Sequence, residues 1–123
     1  MNVAEFSKRV GLSPHTIRYY DKIGLLSQVH RRPNGHRVFS EKDIKWIEFV
    51  QRLKETGMPL EHILSYATLR EQGDTTLLAR REILIDHSKA LKTSIAAQLL
   101  HLERLNDKID LYTSALEGKI TLD

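Results

Sequence analysis

The sequence has no cysteine among its 123 residues. That excludes disulfide scaffolds, thiol nucleophiles, cysteine zinc sites and cysteine redox switches together, and it fits a reducing compartment. No eighteen apolar residues run consecutively, so no span of a membrane is expected. The opening MNVAEFSKRVGLS places charges where a secretory leader needs an apolar stretch, so the expected location is the cytoplasm. No G-x-S-x-G elbow occurs, and no glycine-rich loop that could cradle a phosphate. None of the six histidines stands at metalloprotease or zinc-finger spacing from another ligand type. Glu103 and Asp107, four apart in a helical stretch, read as a solvated flank and not as an acid/base dyad. The expectation is therefore no catalytic residue, no metal site and no cofactor.

What is present begins with composition. Hydrophobic residues at 41% and charged residues at 28% are ordinary for a folded soluble chain, which argues against wholesale disorder. The net charge of +3 is unevenly spread. Between Lys8 and Arg37, seven basic residues stand against one acid, Asp21, whereas from Gly73 onward seven basic residues face eight acidic ones. A basic head on a near-neutral remainder points to a polyanionic partner.

The head divides into short elements. Val3, Phe6 and Val10 recur at helical spacing before Gly11, a fitting residue for a left-handed helix end. Ser13 then reads as an N-cap with Pro14 at the first helical position of a second helix, PHTIRYYDKI, which stops before Gly24. Two short helices around a glycine-containing turn form a helix-turn-helix pattern over residues 3–23. Residues 28–39, QVHRRPNGHRVF, break that pattern. Asn34-Gly35, both tolerant of positive φ, predict a tight turn between short strands flanked by Val29, Val38 and Phe39, a small β-hairpin wing. Ser40 caps a helix over 41–56 with Asp43 in its first turn, Ile44, Ile47, Val50 and Leu53 facing inward with Trp46 and Phe49 beside them, and Gly57 at its end. Pro59 opens a helix over 59–72 whose inner face is Leu60, Ile63, Leu64 and Ala67.

The last segment differs in kind. From Thr76 to Glu117 there is no glycine or proline. Leu77, Leu84, Leu91, Ile95, Leu99, Leu102, Leu105, Ile109, Tyr112 and Leu116 are spaced by sevens, then by threes and fours, as in a coiled-coil seam. A lone helix cannot bury such a stripe, so a second copy is the expected partner, with Leu84, Leu91, Ile95, Leu99, Leu102, Leu105, Ile109, Tyr112 and Leu116 as the dimerisation set. The domain expectation is a winged helix-turn-helix head over 1–72, a dimerisation helix over 75–117 and a tail over 118–123. The fold class is mainly α.

On the second helix, His15, Thr16, Arg18, Tyr19 and Lys22 are polar or amphipathic, while Ile17 and Tyr20 are placed to face inward. A helix of this kind reads the major groove with its N-terminal residues, and arginine bonds guanine in a bidentate manner. A tyrosine hydroxyl can donate to a phosphate.

The run TIRYYDKIGLL, then R-x-x-N-G-x-R over 31–37 and Ser40-x-x-Asp43, resembles the signature of the MerR family of bacterial transcription regulators, and the likeness extends through LKETGMPLEHI and the terminal helix. The resemblance implies a winged helix-turn-helix head on an antiparallel dimerisation helix. It also implies a homodimer that binds double-stranded promoter DNA, underwinds a spacer that is too long, and so acts on RNA polymerase indirectly, with an effector switching repression to activation. Carried over by position, Arg18 and Tyr19 match recognition-helix contacts, His36 and Arg37 match wing contacts, and Lys54 matches a backbone-contacting lysine near the end of the third helix. The candidate DNA-binding set is then Ser13, His15, Thr16, Arg18, Tyr19, Lys22, Asn34, Gly35, His36, Arg37 and Lys54.

Departures from the family pattern carry information. Tyrosine is common in the family where this chain has His36 and Phe39; His36 can still donate to a phosphate, in a pH-dependent way. The stretch KETGMPLE is similar to a short, aldehyde- or nitrosative-stress-responsive subgroup whose reactive cysteine falls at Arg52 here, so thiol sensing is excluded. Multidrug sensors append a large ligand-binding domain; with Asp123 just past the coiled coil, the expectation is a short form without one. An unidentified small-molecule effector could sit near Trp46, His62 and Tyr66, residues that core packing explains equally well. Two other readings stand beside the regulator: a constitutive architectural protein that bends DNA, and a coiled-coil adaptor whose basic head binds an acidic protein.

Overall fold

The computed structural model describes residues 1–122; Asp123, the last residue of the expected tail, lies outside the described residues. It is mainly helical with one two-stranded hairpin. Two compact units divide the chain, Met1–Ile85 and the residues from Asp86 onward.

Helix α1 (Val3–Val10) starts where the Asn2 side chain accepts the Glu5 backbone N–H at 2.9 Å, and ends at Gly11, whose φ of 72° is the left-handed cap geometry. Helix α2 (Pro14–Lys22) begins with Pro14 in the first turn and the Ser13 hydroxyl accepting Thr16 N–H at 3.1 Å. Ile17 and Tyr20 turn inward and are buried, while Arg18 and Tyr19 stay exposed. Phe6 of α1 stacks on Phe39, ring centroids 4.1 Å apart, so the first helix and the end of the wing share one core.

The wing is shorter than the sequence suggests. Strands β1 (His30–Arg31) and β2 (Arg37–Val38) have two residues each and pair antiparallel, His30 opposite Val38 and Arg31 opposite Arg37. Val29 and Phe39 lie just outside the ladder and are buried, anchoring both ends of the hairpin in the core. The turn also departs from expectation: among the described residues no non-glycine residue has positive φ, so Asn34 does not, and Gly35 alone takes that geometry at 85°. Gly35 N–H donates to Arg32 at 2.8 Å and Arg32 N–H to His36 at 2.9 Å. The loop is Pro33-Asn34-Gly35, three residues long, because Pro33 presets the first turn position and Gly35 supplies the left-handed one.

Helix α3 (Glu41–Glu55) starts at Ser40, whose backbone N–H and hydroxyl both donate to the Asp43 carboxylate. Its Ile44, Trp46, Ile47, Val50 and Leu53 are buried, and the Trp46 indole donates to Leu25 O at 2.7 Å. Helix α4 (Leu60–Glu71) buries Ile63 and Ala67, but Leu60, expected on the inner face, is exposed. It is the first residue of the helix, ahead of the turn that meets the core. After a single 3-10 turn at Asp74–Thr76, helix α5 runs from Leu77 to Leu116. Buried Thr76 donates to Leu69 O and Gly73 O and accepts from Arg80 Nε at 3.0 Å, tying the end of α4 to the start of α5.

The early part of α5 belongs to the head, since Ile83 and Leu84 pack against its core. Leu84, expected in the dimer seam, is thus partly covered by its own chain, because the first two turns of α5 are inside the head's contact range. Leu91 is half-buried, whereas Ile95, Leu99, Leu102, Leu105, Ile109, Tyr112 and Leu116 are all exposed, as are Leu100 and Leu111.

Candidate DNA interface

The outer side of α2 is built by elimination. Ile17 and Tyr20 take the core, so the 3.6-residue period leaves His15, Arg18, Tyr19 and Lys22 outward, all four exposed. Ser13 and Thr16 are partly occupied with each other: besides capping the helix, the two hydroxyls lie 3.0 Å apart. On the wing, Asn34 Oδ1 accepts the His36 N–H at 3.1 Å, which holds the tip in shape and leaves the Asn34 amide group exposed. Gly35 O accepts from Arg31 Nη1 at 2.7 Å. His36 is exposed at the tip.

Arg37 is placed differently from the other wing candidates. Its guanidinium donates Nε to Asp21 Oδ2 at 3.2 Å, Nη2 to Asp21 Oδ1, and Nη1 to Val29 O at 2.9 Å. Its side chain is only 15% exposed. Arg37 therefore fastens the wing to the recognition helix from within. Asp21 also draws in Arg31, 3.6 Å away. Sequence motifs do not single out Asp21; the one signal for it is its standing as the lone acid among seven bases between Lys8 and Arg37.

Lys54, on the last turn of α3, donates to the Tyr20 hydroxyl at 3.0 Å and lies 5.3 Å from that ring's centroid. Lys54, Tyr19, Tyr20 and Leu60 line one shallow pocket beside the recognition helix. Arg18 and His36 line another cleft, so helix and wing present polar side chains on a shared surface.

Trp46, Phe49 and Tyr66 pack on each other, with ring centroids 5.5 to 6.3 Å apart, and the Arg70 guanidinium sits 4.2 Å above Trp46. Burial pushes Arg70 down from the usual arginine range, opposed by the Asp43 carboxylate. Of the three residues expected near an effector, Trp46 and Tyr66 thus pack together with Phe49, and His62 is exposed. Among the described residues no group of three or more histidine or acidic side chains could hold a metal. No described helix is long and apolar enough to cross a membrane.

A recognition helix flanked by a hairpin, with cations outward on both, defines a winged helix-turn-helix head of the DNA-reading class. Residues 1–68 match the MerR HTH family of regulatory proteins, and the chain belongs to that family. It is 42% identical over 91 residues to the HTH-type transcriptional regulator AdhR of Bacillus subtilis, a match spanning 74% of this chain and 65% of that protein. It is 37% identical over 112 residues to an uncharacterized HTH-type transcriptional regulator of Haemophilus influenzae, covering 91% of this chain and 83% of the other. The crystal structure of HiNmlR, a MerR family regulator lacking the sensor domain and bound to promoter DNA, superposes with a TM-score of 0.84 at 35% identity, over 94% of this chain and 92% of that one.

Proposed function

We propose that this protein is a homodimeric transcriptional regulator of the bacterial cytoplasm that binds a pseudo-palindromic promoter site and distorts the spacer between its half-sites, thereby controlling polymerase. The observation that carries the reading is the division of labour on α2: Ile17, Tyr20 and Asp21 are committed inward or to the wing, while His15, Arg18, Tyr19 and Lys22 are left exposed on one outer side. In this reading Arg18 reads a base edge, Tyr19, Lys22 and His36 reach phosphates, and Ser13, Thr16, Asn34 and Gly35 hold the helix start and wing tip at the backbone. Arg37 acts through Asp21 and not on DNA directly. The promoter complex of HiNmlR supports DNA as the partner.

The second copy is the natural cover for the exposed leucine and isoleucine stripe of α5. Two-fold symmetry then demands half-sites a whole number of helical turns apart; two turns with bent DNA between them suit a helix of about 60 Å.

Selection of genomic fragments with the purified protein, followed by footprinting at two salt concentrations, tests this. The expected result is a protected pseudo-palindrome between promoter elements, with distorted central base pairs. Recovery of no preferred sequence, with binding that simply vanishes as salt rises, would reject base reading by α2.

A further inference from the structure

Between the start of α1, the recognition helix and the wing lies a cleft of about 280 Å³. Three elements contribute its apolar lining: Val3 from α1 is partly exposed, while Ile17 from α2 and Phe39 from the end of the wing form a floor already buried in the core. Arg18 and His36 line it as well, and the Asp21–Arg37 pair forms part of its lining.

We infer that this cleft is a binding site for a small organic carboxylate, a compact apolar body bearing one anionic group, and that its occupation competes with DNA. The competition rests on the DNA-reading role of Arg18 and His36 proposed above; the binding site itself does not.

Charge decides the ligand class. Asp21 is the one carboxylate in the cleft, and Arg37 and Arg31 already engage it, so it offers little to a cation. Among the described residues Arg18 has no ion pair, so the missing complement is an anion. Bare inorganic phosphate would leave the apolar side of the cleft at Val3 unused, and a neutral hydrocarbon would leave Arg18 unengaged. A DNA phosphodiester offers the same combination of anion and apolar sugar, which is why the two would exclude each other.

The test uses the full-length, 15N-labelled protein without DNA, titrated with benzoate and with its neutral isostere benzamide. Saturable benzoate shifts concentrated at the amides of Val3, Arg18, His36 and Phe39 are expected. Benzamide should bind roughly tenfold more weakly, the loss expected for one charge-assisted contact. Arg18→Gln should abolish the preference for benzoate while leaving the spectrum of the core unchanged. In a parallel anisotropy series on a selected DNA site, benzoate should raise the apparent Kd in step with its occupancy. No saturable shift in the free protein would mean that the cleft serves DNA alone, and equal binding of benzamide would remove the anion site; either outcome overturns the proposal. DNA affinity without benzoate is read in the same series. Its absence would refute the DNA-reading assignment, while the benzoate titration would still judge the cleft.

Discussion

Asp21 on the recognition helix and Arg37 on the second wing strand, sixteen residues apart in sequence, form a two-point ion pair whose third guanidinium donor reaches Val29 O. A two-residue ladder is too short to hold a hairpin at a fixed angle by itself. The wing's position therefore depends on this pair and on the buried anchors Val29 and Phe39.

Asp21→Asn adds net positive charge to the basic head, so electrostatics alone would tighten DNA binding. As a positioning residue, Asp21 predicts the opposite for a specific site: affinity falls, while affinity for random DNA holds or rises. Arg37→Ala should likewise weaken the specific site but, because it removes a positive charge, should weaken random DNA as well, and both variants should lose about 1–3 kcal/mol of stability in urea unfolding. Tighter specific binding by Asp21→Asn would show that the pair does not position the wing.

Lys54→Ala is expected to weaken binding to all sequences alike and to reduce the slope of log affinity against log salt by about one. Because Lys54 also donates to the Tyr20 hydroxyl, Tyr20→Phe is the control. It removes that contact but not the charge, and should leave the slope unchanged. An unaltered slope in Lys54→Ala removes the phosphate assignment.

Leu102→Asp places a charge in the middle of the exposed stripe of α5, where Leu102 is half-exposed in the single chain. Sedimentation equilibrium should show a monomer at micromolar concentration, with specific DNA affinity reduced roughly a hundredfold as the second half-site is lost. A dimer that survives this change would place the self-association surface elsewhere.

Trp46→Phe keeps most of the ring but removes the donor to Leu25 O. Leaving that carbonyl without a partner should cost about 1–3 kcal/mol. The melting temperature should drop by several degrees, and DNA affinity well below it should be unchanged. An unaltered melting temperature would show that the indole hydrogen bond adds nothing net.

What the sequence disclosed followed the range of the interactions involved. Ser13, Pro14, Gly11 and Ser40 act within a few residues of themselves, so the ends of α1, α2 and α3 were legible. The inward faces of α2 and α3 were legible from period alone, Tyr20 in and Tyr19 out included. Leu60 and Leu84 escaped because their environment is set by where a neighbouring helix begins or packs, which periodicity does not encode. In the wing loop, Pro33 moves the turn by one residue from the place that Asn34-Gly35 alone predicts. The wing motif points Arg37 toward DNA, whereas the tertiary approach of Asp21 engages it within the head, a contact that no local pattern encodes.

The Asp21 pair also bears on how such a head diversifies. Positions 17, 20 and 21 of α2 answer to the core and the wing, whereas 15, 18, 19 and 22 stand exposed on its outer side, Tyr19 resting its ring against Tyr20. With the DNA-reading role proposed above for α2, a new operator would call for exchanging those four side chains on a frame that stays folded, whereas a change at Asp21 would also shift the wing.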